Sequence, residues 1–219
     1  VGRPTGDIRR EPAMDDERFA HAVALGREAV ASLDADLLVV GEMGIGNTTA
    51  AAAVCATLCG GPSDVWVGRG TGVDDDGLRR KVDAVDAARA RVDGGATDPL
   101  EVLREVGGLE ITAMAGAILE ARRRSLPVVL DGYVTAAAAL PLACANPDAL
   151  AHCVAGHRSP EGGHGRVLER LGLDPLLDLG MRLGEGSGAM AAVPLLSMAC
   201  RLVTDVATFD EWLGAPGAG

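Results

Sequence analysis

Aromatic side chains are scarce in this 219-residue chain, which carries two Trp, one Tyr and two Phe. Lysine is scarcer, since Lys81 is the one lysine among twenty basic residues. A core with so few rings must be filled by aliphatic and alanine side chains, which favours close packing of helices on a sheet, and thirty glycines supply tight turns. Positive charge is also short. Twenty Lys and Arg face 31 Asp and Glu, for a net charge of -11 and a pI near 4.8. Such a field repels polyanions, so neither nucleic acid nor an anionic membrane is expected as the main partner. A small anion stays compatible if backbone N–H groups and a few cations converge on it.

Other absences narrow the class further. The first thirty residues are charged throughout and contain no apolar h-region, so a cytoplasmic location is expected. Cys55, Cys59, Cys144, Cys153 and Cys200 are odd in number, lie in apolar runs and show no C-x-x-C spacing, and are read as reduced core residues. Ser187 to Val203 is the most apolar stretch; Pro194 interrupts it and Arg201 closes it, so a buried helix is expected rather than a membrane span. Length and a hydrophobic content of 48% suit one domain over residues 1–219. The chain opens on Val1 rather than Met, and Val1 to Arg10 reads as mid-protein loop, so an upstream segment is expected.

What is present is a repeating order of strand, glycine turn and helix. Leu37 to Val40, Val65 to Val67, Val128 to Leu130, Ala151 to Ala155 and Leu176 to Leu179 are short aliphatic runs of the kind found in buried parallel strands. Helical spacing of apolar residues marks Asp15 to Ser32, Thr48 to Leu58, Asp75 to Val92, Gly107 to Arg124, Thr135 to Ala145 and Glu161 to Leu171. The expected fold is α/β: a mostly parallel sheet with helices on both faces, Rossmann-like and three-layered, with ligands at the carboxyl ends of the strands.

Four turns at those ends carry candidate chemistry. In Gly41-Glu42-Met43-Gly44-Ile45-Gly46-Asn47-Thr48-Thr49 the glycines admit an anion to backbone N–H groups, and the helix that follows adds partial positive charge. A tight turn with a Thr N-cap is the plain alternative. A nucleotide-hydrolysing P-loop is the sharper one, with Asp131 at the end of Pro127-Val128-Val129-Leu130-Asp131 as its magnesium ligand, but Asn47 stands where that loop needs lysine. Gly68-Arg69-Gly70-Thr71-Gly72 leads into a helix bearing Lys81, and Asp74 to Asp76 read as helix capping. His157-Arg158-Ser159 offers phosphate contacts, whereas His157, Glu161 and His164 match no metal-ligand spacing. Glu185, between Gly184 and Gly186 in an apolar setting, is read either as a desolvated general base with a raised pKa or as an acid complementing a helix N-terminus.

Together with Gly132, these strings resemble in order and spacing the nicotinate mononucleotide:dimethylbenzimidazole phosphoribosyltransferase family across nearly the whole chain. The resemblance implies transfer of 5-phosphoribosyl from nicotinate mononucleotide to a benzimidazole in cobalamin synthesis, without metal or cofactor. It implies that Glu185 is the general base, with Glu42 assisting from across the site. It implies that Gly44, Gly46, Asn47, Thr48, Gly70, Thr71, Gly72, Lys81 and Ser159 hold the ribose phosphate, that Gly132 lines the ribose, and that Met43, Leu183 and Gly184 meet the base. It further implies a homodimer, and a missing N-terminal portion that supplies part of the acceptor pocket and of a small helical subdomain. A P-loop-like NTPase or kinase and a non-catalytic phosphate-ligand binding subunit are the competing readings.

Overall fold

The computed structural model describes residues 4–70, 72–92, 95 and 98–214. In chain order the elements are α1 (Asp16–Ala31), β1 (Leu38–Val40), α2 (Asn47–Cys59), α3 (Asp75–Val92), α4 (Pro99–Val106), α5 (Leu109–Arg123), β2 (Val128–Leu130), α6 (Tyr133–Ala145), β3 (Cys153–His157), α7 (His164–Leu171), β4 (Pro175–Leu177), α8 (Ser187–Thr204) and α9 (Phe209–Trp212). The four strands form a parallel sheet in the order β1-β2-β3-β4, with Val39 opposite Val129 and Val129 opposite Val154. The α/β class expected from the alternating pattern is the one observed. All strands being parallel, their carboxyl ends, and the turns that follow them, lie along one edge.

Alternation along each strand divides the sheet's two faces. Val40, Val128 and Leu130 join the main core with α2, α4, α5 and α6. Val39 and Val129 turn the other way, onto the start of α8, where Val39 Cγ1 stands 3.3 Å from the place of a Cβ on Gly186. Small side chains make the core dense. Ala51 to Ala53 of α2 and Ala136 to Ala139 of α6 are fully buried, which lets these helices approach closely. At the α1–α5 crossing the approach needs glycine itself, because a Cβ on Gly26 would stand 1.7 Å from the Ala113 carbonyl oxygen, and one on Gly116 would stand 2.3 Å from that of Val23.

Several expectations require correction. Val65 to Val67 is not a strand: Ser63–Val65 forms a 3-10 turn. The Trp66 indole donates to the Gly60 carbonyl at 2.8 Å, and the Tyr133 hydroxyl donates to the Trp66 carbonyl at the same distance, so side-chain bonds hold this segment as a turn. The third strand runs Cys153–His157, shifted two residues onward from Ala151 to Ala155. Helix α4 was not anticipated; Asp98 caps it by accepting from Leu100 N at 2.7 Å, and Pro99 occupies the first turn, where a missing N–H costs nothing. Helix α8 is not the buried helix expected. It is long and apolar enough by length and composition to cross a membrane, with a mean hydropathy of 1.4, yet only Gly188, Ala189 and Ala192 are buried. Its first turns lie on the sheet, whereas Met198 and Leu202 beyond them are more than half exposed. Composition does not reveal which part of a helix has a neighbour. For the same reason Cys200, on that exposed length, is not a core residue, while Cys55 and Cys153 are buried.

Replacing Gly26 or Gly116 by alanine must push α1 off α5. Each substitution is expected to lower stability by about 2 kcal/mol or more, a fall in thermal unfolding midpoint of roughly 5 °C, readable by calorimetry. An unchanged midpoint would mean that the two helices are not in this contact.

Candidate active site

The crevice begins where the turns after β1 and before α8 meet backbone to backbone. A Cβ on Gly41 would fall 2.2 Å from Gly186 N, and the Glu185 N–H donates to the Glu42 carbonyl at 2.9 Å. Gly184, Glu185 and Gly186 have φ of +83°, +60° and +76°, so Glu185 holds a left-handed conformation that costs an L residue about 1 kcal/mol. Glu185 is exposed, which corrects the expectation that it would be desolvated. The burial falls instead on Glu42. Desolvation raises its carboxyl pKa, the amide of Asn47 opposes this by donating to Oε2, and the charges of Glu110, Asp131 and Glu185 add to the rise.

Asn47 opens α2, whose N-cap is left-handed Gly46 with no side-chain cap, so the alternative of a Thr N-cap does not apply. Asn47 turns back to Glu42, and the cation that the first turn lacks arrives from α3 instead. Lys81 Nζ donates to Thr48 Oγ1 at 2.9 Å and to the Gly68 carbonyl. Gly70, at φ +56°, completes this corner: a Cβ there would stand 3.1 Å from Thr48 Oγ1 and 3.6 Å from Lys81 Nζ. Gly72, at φ +113°, closes the turn, and Thr71 lies outside the described residues. Burial lowers the Lys81 pKa, and the charge of Glu161 counters it. The acids ahead of α3 are otherwise engaged, with Asp74 capping Gly77 N at 2.7 Å, Asp75 paired with Arg69 and Asp76 with Arg79.

The turn after β3 closes the third side. Ser159 is 7% exposed; its N–H donates to His164 Nδ1 at 2.8 Å and its Oγ accepts from Glu161 N at 3.3 Å. A Cβ on Gly132 would stand 3.8 Å from Ser159 Cβ, and one on Gly68 would meet Glu161 Oε2 at 2.0 Å. The turns after β1, β2 and β3, the Gly68 turn and the Glu185 loop thus adjoin one another. Met43 and Leu183, next to Glu42 and Gly184 in these loops, are 83% and 73% exposed.

A cleft of about 1450 Å³ runs from Ile45, Gly46 and Asn47 to His21 on α1 and Glu110 on α5. This cleft meets the crevice at Gly46 and Asn47, and its α1 and α5 side carries none of the residues marked in the sequence. Its signal was the Gly107-Gly108 pair ahead of α5, another glycine turn at a helix start. Among the described residues no group of three or more His, Cys, Asp or Glu is placed to share a metal ion.

His164 yields a pH prediction. Burial, then the charges of His157 and Arg158, hold its pKa down at about 4, and its Nδ1 must stay unprotonated to accept from Ser159 N. The unfolded chain binds this proton below about 6.5 and the folded one does not, so stability falls as pH drops from about 6.5 to about 4, by roughly 3 kcal/mol in all. In H164N the side-chain oxygen replaces Nδ1 as acceptor and cannot titrate. Denaturant unfolding of H164N is expected to show a shallower decline over that window, and an identical decline would contradict the assignment.

A family model described as phosphoribosyltransferase matches residues 1–212. The nicotinate-nucleotide–dimethylbenzimidazole phosphoribosyltransferases of Methylocella silvestris and Mesorhizobium japonicum are 56% and 53% identical to the chain over 95% and 96% of its length. The chain spans 61% and 62% of those relatives. The crystal structure of CobT from Thermus thermophilus superposes with a TM-score of 0.90 at 49% identity, over 97% of this chain and 64% of that one. With a family match over nearly its whole length, and with the motif-bearing turns gathered at one edge of the sheet, the chain belongs to the phosphoribosyltransferase family.

Proposed function

We propose that the crevice transfers a 5-phosphoribosyl group from nicotinate mononucleotide to dimethylbenzimidazole, giving α-ribazole 5′-phosphate and nicotinate as a step of cobalamin synthesis. Residues 1–219 would form one catalytic domain of a cytoplasmic homodimer. The observation that carries the reading is the Glu185 N–H to Glu42 carbonyl bond, because it joins two glutamate-bearing turns beside the corner made by Thr48, Gly70 and Lys81. The relatives' printed names supply the substrates.

Lys81, Thr48 and the backbone of the glycine turns hold the phosphate by charge and hydrogen bonds. Gly132 leaves room for the ribose, Ser159 flanks it, and Met43, Leu183 and Gly184 border the acceptor ring. One benzimidazole nitrogen attacks the anomeric carbon as its bond to the pyridinium nitrogen breaks. The bond's electron pair returns to that ring, so nicotinate leaves with a neutral pyridine nitrogen. The other benzimidazole nitrogen loses its proton to Glu185, while the negative charge of Glu42 stabilises the cationic sugar carbon. No step needs a metal or a cofactor. An NTPase reading finds less support, since Asn47 is bonded to Glu42 and Asp131 to a backbone amide.

The test is chromatographic detection of nicotinate released from the mononucleotide by the full-length protein, with and without dimethylbenzimidazole. Release that depends on the acceptor is expected, and its absence would refute the reading. Loss of general-base catalysis in E185Q should lower kcat by roughly a hundredfold or more with mononucleotide binding retained, and wild-type kcat would remove Glu185 from its role. K81M should raise KM for the mononucleotide by about tenfold, and an unchanged KM would place the phosphate elsewhere.

A further inference from the structure

Asp131 has no part in the transfer just described, yet its carboxylate, 2% exposed, borders the crevice directly after β2. Its Oδ1 accepts the backbone N–H of Ala189 at 2.8 Å, a bond between residues 58 apart with both partners buried. Ala189 lies in the first turn of α8, whose N-cap, Gly186, carries no side chain to satisfy the helix's free N–H groups. An acid from another element therefore caps this helix, and its charge complements the partial positive charge of the helix end. The same Oδ1 lies 3.6 Å from Nε2 of His157, a side chain 3% exposed. His157 in turn supports the helix from below, since a Cβ on Gly188 would fall 2.0 Å from its Cδ2.

Glu185 sits immediately before that cap, the second of three successive left-handed residues, and Gly186 has no side-chain cap. Its segment is tied down at two points. One is the bond from its own N–H to the Glu42 carbonyl on the β1 side, and the other is the bond from Ala189 to Asp131 on the β2 side. The second fixes the first turn of α8 and, with it, the segment that carries Glu185. We propose that Asp131, backed by His157, is a positioning residue that fixes Glu185 relative to the sugar phosphate by capping α8 from the end of β2. The inference rests on the transfer reading given above.

The full-length protein carries the test, with turnover expressed per folded site counted by mononucleotide binding. D131A is expected to lower kcat by about tenfold while KM for the mononucleotide stays within about twofold, because the phosphate corner is untouched. D131N keeps an oxygen that accepts from Ala189 and should retain most of the wild-type kcat. Because Asp131 acts through Glu185, D131A added to E185Q should cost nothing more, whereas independent effects would multiply. Hydrogen exchange in residues 184–192 should quicken in D131A and return toward wild type in D131N. Wild-type kcat in D131A, a multiplied loss in the double variant, or unchanged exchange would each overturn the proposal. Should D131A not fold, G188A tests the same anchor by forcing α8 away from His157, with the same split between kcat and KM expected and wild-type kcat overturning it. If the wild-type protein releases no nicotinate, the transfer reading and the catalytic part of this one fall together, and the exchange arm alone decides whether Asp131 anchors the loop.

Discussion

The bond from the Glu185 N–H to the Glu42 carbonyl, at 2.9 Å, is the contact on which the crevice depends. It can form because Gly41 and Gly186 have no side chains to separate the two strands of chain, and because Gly184, Glu185 and Gly186 all adopt left-handed conformations. A side chain at either glycine would force apart the turn after β1 and the loop before α8. The Asn47 amide would still reach Glu42, but the carboxylate brought alongside by Glu185 would be lost. Backbone proximity here precedes chemistry, and each glycine in this contact has a steric reason to be glycine.

The electrostatics follow from that proximity. Glu42, Glu110, Asp131 and Glu185 crowd one side of the crevice, and burial together with mutual repulsion raises the Glu42 pKa against the hydrogen bond of Asn47. Lys81 stands on the other side with its ammonium on Thr48, its own pKa lowered by burial. An acidic wall facing a single lysine is an unusual cradle for an anion alone. In the proposed transfer the Lys81 corner would meet the phosphate, and Glu42 the centre of developing positive charge. That division also answers the P-loop comparison: the cation comes from α3 rather than from the glycine turn itself.

Packing places these groups rigidly. The sheet is thin, with three strands of three residues and one of five, so its order comes from alanine-rich helices closing on it rather than from long ladders. Val128 and Leu130 face the main core while Val129 faces α8, which fixes the height of the turn that carries Asp131 and Gly132. His164, buried and neutral, holds Ser159 by accepting its N–H. The polar groups at the carboxyl edge are thus supported by neighbours that have no place in the proposed chemistry.

Much of this was legible in the residues themselves. Short aliphatic runs followed by glycine mark β1, β2 and, with shifted ends, β3 and β4, because buried parallel strands need unbroken apolar sequence and their turns need glycine. The glycine strings around Glu42, Gly70 and Glu185, and the solitary Lys81, marked the candidate site, since special backbone angles and rare residues are local properties. What the tertiary structure alone decided is which distant groups meet. Trp66 and Tyr133 make a turn of what reads as a strand, Glu185 faces solvent while Glu42 is the one desolvated, and α8 is covered only at its start. Asp131 reads as an ordinary acid after a strand and turns out to cap a helix 58 residues onward. Burial and long-range hydrogen bonding depend on neighbours that the chain's linear order does not specify, so they emerge only once helices and sheet have closed on one another.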